Sequence, residues 1–354
     1  MSAPSYSIII PVYNAEKVVK RIVGQILAAQ FTDFEIILVD DGSRDKSLTI
    51  IKQLSQKDQR IKVIHQENAG PSAARNTGLK AARGHYIIFC DADDEVKTEA
   101  FSRVLERFSK WRAGDMIVLS WEIVRKDTAG KITSRRTLAQ PEQEICGEDV
   151  IPLTIKSVGD DGRMYNLWNK IYDAEIIRQH HLTLRKDLRF GEDLLFNLDY
   201  VKHVQKIYFS DIEPFYVYEE DSATSIVSVT RLNYQLRWQN ILALEEFAKA
   251  KDSQQVQDNL MLFRWRSLVS YVLAVCGSQE RFFEQSRRVK QAIKHQQLRP
   301  RNVAKKMARK WYIMELILYI LINIPFAMLL AMKFSLFIKR CRHNHDLHIQ
   351  LGRV

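Results

Sequence analysis

Four short β-branched runs punctuate the first ninety or so residues: Ile8 to Ile10, Ile36 to Val39, Ile61 to Ile64 and Ile87 to Phe89. Runs of that length and composition predict strands buried on both faces of a sheet. Between them the apolar positions change to helical spacing. Val18, Ile22, Ile26 and Leu27 make one stripe, and Leu48, Ile51 and Leu54 make a second. Ala74, Leu79 and Ala82 lie on a third segment, opened by Gly70-Pro71-Ser72, a helix-start signature. Alternating strands and helices predict an α/β class, a mainly parallel, Rossmann-like sheet flanked by helices. In such a sheet the carboxyl ends of all four strands share one rim.

Further along the pattern is less regular. Met116 to Val124 reads as another strand, Asp127-Thr-Ala-Gly-Lys131 as a hairpin turn, and Tyr208 to Tyr218 as closing strands around Pro214. A first domain then ends near residue 225. Leu236, Leu242, Leu244 and Phe247, followed by Leu260 to Val275, predict helices within 226–300, where no chemistry is legible.

The candidate chemistry lies on the rim. Tyr86-Ile-Ile-Phe-Cys-Asp-Ala-Asp-Asp94 runs an apolar strand into three carboxylates, Asp91, Asp93 and Asp94. Hard ions such as Mg²⁺ or Mn²⁺ take one or two such oxygens and leave the other positions to water and a diphosphate, although the same letters fit an acidic turn. Pro11 to Asn14 and Asp40-Asp41-Gly42-Ser43 close the first two strands and face the same crevice, where α/β sheets hold ligands. Pro11-Val-Tyr-Asn-Ala-Glu16 contains no glycine, which argues against a dinucleotide site. A glycine-rich basic loop of the nucleotidyltransferase kind is also missing there.

Ser7-Ile-Ile-Ile-Pro-Val-Tyr-Asn14, Phe34-Glu-Ile-Ile-Leu-Val-Asp-Asp-Gly-Ser43, Asn68-Ala-Gly-Pro-Ser-Ala-Ala-Arg-Asn-Thr-Gly78 and the Asp91–Asp94 segment follow one another in a way that resembles the family 2 glycosyltransferases. These are inverting enzymes of the GT-A fold that use nucleotide sugars. The resemblance implies that Asp41 accepts from the N3–H of a uracil-type base, with Pro11, Tyr13 and Asn14 lining the nucleoside pocket, which favours UDP or dTDP donors. It implies that Asp93 holds the metal. Asp91 would bind ribose, or the ion through water, with Ala92 between them at the donor. Arg75 is assigned to the diphosphate or to Asp91, a surface salt bridge being the alternative. Phe190-Gly-Glu-Asp-Leu-Leu-Phe196 matches the family's base segment, so Asp193 is the expected general base and Glu192 its support. Both fall at the start of a helix, where the dipole favours the ionised form and predicts low basicity, or where they would merely cap it. Tyr165-Asn-Leu-Trp-Asn-Lys-Ile-Tyr172 also resembles a family motif. Trp168 and Lys170 are candidates for acceptor or phosphate contacts, although the size of Trp168 favours a core position. Residues 1–100 would thus be the nucleotide-binding half and 101–225 the acceptor half of the catalytic domain.

Charge adds a second theme. The 354-residue chain has a formal charge of +11. Arg281 to Val354 holds sixteen Lys and Arg against three acids, so a nearly neutral enzyme carries a basic tail. No nucleic-acid signature accompanies it, which points to an anionic membrane surface rather than to nucleic acid. Inside the tail, Trp311 to Ile338 is long and apolar but interrupted by Glu315, Asn323, Pro325 and Lys333. A helical pair that re-enters or lies on the membrane is expected, with a single crossing next and a buried core pair as the soluble alternative. Residues 301–354 are therefore a membrane-associating appendage. His343, His345 and His348 read as a solvated tail. Cys90, Cys146, Cys276 and Cys341 are scattered, which indicates neither zinc nor a disulfide framework. No signal peptide is legible at the start.

Together these features predict a metal-dependent glycosyltransferase at the cytoplasmic face of a bacterial-type inner membrane. It would extend a lipid-linked or polysaccharide acceptor for capsule, lipopolysaccharide or another surface glycan. The alternative is a non-catalytic membrane scaffold on a degenerate transferase fold.

Overall fold

The computed structural model describes residues 3–292 except 112–114, 127–129, 140, 161, 189, 221–232, 279–283, 286 and 290. The basic, apolar segment 301–354 expected to meet a membrane lies outside the described residues. Among the described residues no helix is long and apolar enough to cross a membrane. The chain divides into one unit of residues 1–225 with 243–251, and another of 226–242 with 252–354.

The first unit is built on an eight-stranded sheet. Its leading strands are β1 (Tyr6–Val12), β2 (Phe34–Asp41), β3 (Ile61–Gln66) and β4 (Tyr86–Phe89), in the spatial order β3-β2-β1-β4 and all parallel. Strand order reverses between β1 and β4, the place where open α/β sheets bind ligands. The hydrophobic runs explain the burial. Every residue of β2 and β4 is buried, whereas β3, an edge strand, buries only Ile61. Its Ile61–Ile64 run is thus not enclosed on both faces as its composition suggested. The helices are α1 (Val19–Leu27), α2 (Ser47–Lys57) and α3 (Pro71–Ala81). In α1 the buried residues are Val19, Ile22, Val23 and Ile26.

Helix α3 buries an unexpected face. Instead of Leu79 and Ala82 it turns inward Ser72, Ala73, Ala74, Arg75, Asn76 and Gly78. Gly78 lies against the Ile9 side chain with no room for a Cβ. The close approach admits small residues and carries two polar side chains, Arg75 and Asn76, under the rim.

Beyond β4 the sheet is mixed. It continues with β10 (Lys170–Asp173), β6 (Asp115–Val118), β11 (Lys206–Phe209) and β9 (Gln143–Cys146). β10 runs antiparallel to both neighbours. A second sheet has four strands, β5 (Glu95–Val96), β12 (Tyr216–Glu220), β7 (Trp121–Lys126) and β8 (Ile132–Leu138), in that order. The single strand expected over Met116 to Val124 is therefore two, one in each sheet. The chain changes sheet at the buried Leu119-Ser120, with the Leu119 N–H donating to Asn169 O at 2.9 Å. This lets Trp121 pack edge-on against Trp168 with ring centroids 5.6 Å apart. β7 and β8 pair antiparallel, although residues 127–129 of the expected turn are outside the described set. Four further helices complete this part: α4 (Thr98–Phe108), α5 (Val150–Asp160), α6 (Ala174–Gln179) and α7 (Glu192–Val201).

In the second unit α9 (Gln254–Gly277) is capped by Ser253, whose hydroxyl accepts from the Val256 N–H. The preceding helix, α8, spans Tyr234–Ala248. Tyr234 packs on Tyr271 at 5.0 Å between ring centroids, and the Arg264 guanidinium stacks over Trp238.

Candidate active site

Two loops at the ends of β1 and β2 are built as one piece. Asn14 N–H donates to Ser43 Oγ at 3.0 Å, and Arg44 N–H returns a bond to Asn14 Oδ1 at 2.9 Å. Ala15 N–H donates to Ser47 Oγ at 2.8 Å, and Glu16 N–H to Asp45 Oδ2 at 3.1 Å. Lys46 N–H closes the set on Glu16 Oε2 at 3.0 Å. Asn14 has φ +49°, a left-handed conformation that Asn tolerates better than most residues. Its amide staples the loops together. Tyr13, beside it, is 48% exposed and is the ring available to stack on a nucleobase, while Pro11 is half-buried in β1.

The two aspartates ending β2 point to opposite faces, as strand alternation requires. Asp40 is enclosed and accepts from His65 Nδ1 at 2.7 Å. Asp41 turns toward α3, and its carboxylate accepts from Gln66 Nε2 at 2.7 Å, Asn68 Nδ2 at 3.3 Å, Ala69 N at 2.9 Å and Gly70 N at 2.8 Å. Four donors match the capacity of an ionised carboxylate. Asp41 thus clamps the loop that starts α3, and a base N3–H would have to replace one of these donors.

After β4 the chain makes a tight acidic turn. Asp94 is buried and accepts from Tyr216 Oη at 2.6 Å and Glu219 N at 3.0 Å. Burial, with Asp91 close by, raises its carboxyl well above the usual range. Tyr216 Oη also accepts from the Asp91 N–H at 2.9 Å, so one phenol pins both ends of the turn. Arg21, from α1, donates to the Asp93 carbonyl at 2.8 Å and is held by Glu95 and Glu219, each at 2.9 Å. Ala92 is buried between the acids. Asp93 faces outward, yet its carboxyl is raised by partial enclosure and by the charge of Asp91.

Opposite this turn stands α7. Gly191 precedes it at φ +87°, which glycine adopts without penalty. Glu192 and Asp193 form the first turn. Asp193 Oδ1 has no hydrogen-bond partner but lies 3.7 Å from Arg75 Nη1, while Arg75 Nη2 donates to Asp91 Oδ1 at 2.7 Å. The buried guanidinium therefore bridges the turn after β4 and the helix carrying Asp193. Arg75 is no surface salt bridge, and its pairing with Asp91 is direct. The low basicity expected of Asp193 is not found: its carboxyl is raised to about 7, chiefly by burial and also by Glu192 and Asp91, against the lowering effect of Arg75 and Lys170. At this site desolvation outweighs the helix dipole.

Trp168 and Lys170 serve as supports. Trp168 stacks on Tyr216 with ring centroids 4.6 Å apart and on Tyr218 at 5.8 Å, the core position that its size favoured. Lys170 is fully buried, and its ammonium donates to Arg163 O at 2.7 Å, to Asn166 O and to Asn169 Oδ1 at 2.8 Å. An ammonium has three donors. With these turned to carbonyls, Lys170 straps a loop instead of facing a phosphate. Asn197 of α7 joins it, donating to Met164 O at 2.7 Å and accepting from Tyr172 Oη at 2.7 Å. Tyr216, Arg21 and Asn197 were not among the residues singled out from sequence. Each acts on partners at least 25 positions away, and no local motif reports such a pairing.

Asp91 and Asp93 fit a hard divalent ion. They are oxygen donors two residues apart, and the Asp93 carboxyl, raised first by partial enclosure and then by the charge of Asp91, is one that a nearby cation would favour in its ionised form. No group of three His, Cys, Asp or Glu ligands gathers among the described residues.

Residues 7–174 match the family model described as Glycosyl transferase family 2. The chain is 34% identical over 221 residues to a protein named uncharacterized glycosyltransferase EpsJ from Bacillus subtilis, covering 62% of each. It is 28% identical over 261 residues to the poly(ribitol-phosphate) beta-glucosyltransferase of Bacillus spizizenii, covering 71% of this chain and 38% of that one. The chain thus spans less than two thirds of either relative's length. Its fold resembles that of S. aureus TarS 1–349, crystallised with UDP-GlcNAc, at a TM-score of 0.61 and 19% identity over 84% of this chain and 80% of that one. This likeness supports the expected GT-A-like α/β architecture, with a mixed rather than mainly parallel sheet. The segment that matches glycosyl transferase family 2 thus holds the four parallel strands and the acidic turn after β4, while the helix start that carries Asp193 lies beyond it.

Proposed function

We propose that this protein is a metal-dependent, inverting glycosyltransferase that moves a sugar from a nucleotide sugar to a hydroxyl of a surface-glycan acceptor. One observation carries the reading: Arg75 joins Asp91, at 2.7 Å, to Asp193, at 3.7 Å. It sets a base of near-neutral pKa across the crevice from the acidic turn. Asp93 and Asp91 would hold Mg²⁺ or Mn²⁺, which supplies Lewis-acid neutralisation of the departing diphosphate. Asp193 accepts the proton of the acceptor hydroxyl as the oxygen bonds to the anomeric carbon and the bond to the diphosphate oxygen breaks on the opposite side. The leaving group departs as nucleoside diphosphate on the side of the Asp91–Asp93 turn, away from Asp193, while Arg75 keeps Asp91 and Asp193 in register. A carboxyl at about 7 is a far better proton acceptor than an ordinary aspartate and is still largely ionised just above neutrality.

The base is read as uracil or thymine on the strength of the fold shared with a protein that binds UDP-GlcNAc and of the exposed Tyr13 ring, with the N3–H taking the place of one of the four protein donors on Asp41. A polymeric surface-glycan acceptor is supported by the name of one relative, a poly(ribitol-phosphate) beta-glucosyltransferase. The basic, apolar segment 301–354 supports work at the cytoplasmic face of a membrane. Mn²⁺-dependent binding and turnover across a panel of UDP- and dTDP-sugars is the test. Asp93→Asn should weaken metal-dependent binding. Asp193→Asn should keep it and reduce transfer by about 10²–10⁴-fold. Wild-type transfer should rise with pH through about 7 as Asp193 ionises. Full turnover by Asp193→Asn would overturn the assignment.

A further inference from the structure

Helix α3 turns two neighbouring polar residues inward, and they reach different targets. Arg75 extends to Asp91 and Asp193. Asn76 instead grips the chain on its way to Asp193. Its Nδ2 donates to Leu184 O at 2.8 Å, and its Oδ1 accepts from Leu184 N at 2.8 Å. Both bonds are buried, so neither competes with water. An amide that satisfies the N–H and the C=O of one residue fixes that residue in translation and rotation, as a neighbouring strand would. Leu184 itself is buried, while Arg185, Lys186 and Asp187 next to it are exposed. The stretch between α6 and α7 is therefore tied down at Leu184 and exposed from Arg185 to Asp187. It then passes through Gly191 at φ +87° into the turn that presents Asp193.

Resting on the reading of Asp193 as the base, we infer that Asn76 is a positioning residue. It holds the entry to α7 against the same helix that carries Arg75, and so sets Asp193 in line with the donor rim. One helix thereby references both sides of the crevice: Arg75 by charge and Asn76 by backbone clamping. Asn76 touches no reacting atom. Its loss should leave donor binding intact and impair the chemical step, because displacing a catalytic group by about 1 Å can cost about a hundredfold in rate.

The test compares full-length wild type with Asn76→Ala and Asn76→Asp by hydrogen exchange, by UDP binding with Mn²⁺, and by turnover of whichever UDP-sugar the wild type uses. Exchange over 182–191 should rise about tenfold or more in Asn76→Ala, while residues 86–94 stay as protected as before. UDP affinity should stay within about twofold and kcat should fall about ten- to hundredfold. Asn76→Asp, which keeps the acceptor for Leu184 N but loses the donor to Leu184 O, should fall in between, and it carries the test if Asn76→Ala does not fold. Unchanged exchange over 182–191 would overturn the clamp. Unchanged kcat beside raised exchange would overturn the positioning role, as would equal losses of UDP affinity and kcat. If the wild type neither binds UDP nor turns over a sugar nucleotide, the glycosyltransferase reading fails, while the exchange result still decides the clamp.

Discussion

Residues 6–96 meet the crevice on four parallel strands whose first two loops bond to each other, whereas residues 115–220 meet it on strands that change direction and divide between two sheets. On the donor side precision comes from side chains that bond neighbouring loops: the cross-loop bonds of Asn14, Ser43 and Ser47, and the clamping of 66–70 by Asp41. On the base side it comes from buried side chains, the Trp168–Tyr216–Tyr218 stack, the nearby strap Lys170 and the more distant ties of Asn197 and Asn76. The first kind of site repeats one strand–loop–helix pattern, with its acidic turn pinned from outside by Tyr216. The second depends on a fully packed interior, and it is the side that carries the proton-accepting group.

If that contrast is right, the largest effect follows from removing a base-side support. Trp168→Ala should cost about 3–5 kcal/mol in urea unfolding, since Trp168 is buried and stacks on Tyr216 at 4.6 Å. Truncating the exposed donor-side ring, Tyr13→Ala, should cost well under 1 kcal/mol, and similar losses for both would erase the distinction. A smaller effect is expected where donor-side backbone is forced. Gly42 has φ +69°, and an added Cβ would meet Asn68 N at 2.8 Å. Gly42→Ala should therefore cost about 1–3 kcal/mol and weaken nucleotide binding with it, which a titration of UDP in the presence of Mn²⁺ would show.

The smallest expected effect has the opposite sign. Folding raises the Asp193 carboxyl from 3.8 to about 7, so the folded state holds its proton more tightly than the unfolded state. The native stability linked to this group is present below pH ~4 and is lost as pH rises through about 7. Asp193→Asn, which removes the ionisation, should gain about 1–2 kcal/mol at pH 8 and nothing near pH 4, readable as a rise in Tm. The inactive variant would be the more stable one. A loss of stability at pH 8 would show that Asp193 serves the fold instead of straining it.

The difference between the two regions also explains what could be read in the sequence. Ile8–Ile10, Ile36–Val39 and Ile87–Phe89 announce their strands because parallel strands bury both faces and helices must alternate with them. The loops then fall on one rim by topology alone, which brings Asp41, Asp91 and Asp93 together. Asp193 came from the resemblance of Gly191-Glu-Asp-Leu. Its raised carboxyl did not, because burial is set by packing that no local motif reports and is reinforced by the charge of Asp91, far away along the chain. Met116 to Val124 looked continuous because nothing local marks a change of sheet at Ser120. Lys170 looked available because an alternating pattern does not show which lysines meet carbonyls. Asn76 stood in view within Ala-Ala-Arg-Asn, yet its partner, Leu184, is 108 positions away.

The stapled loops after β1 and β2 also bear on how such a rim can diversify. Each loop completes the other's hydrogen bonds through Asn14, Ser43, Asp45 and Ser47, so an insertion or deletion in one would strand polar groups in both. Loop length is held fixed by this reciprocity. New donor preferences at this end would therefore arise by exchanging outward-facing side chains such as Tyr13, one residue at a time, on a frame that tolerates lettering changes but not respacing.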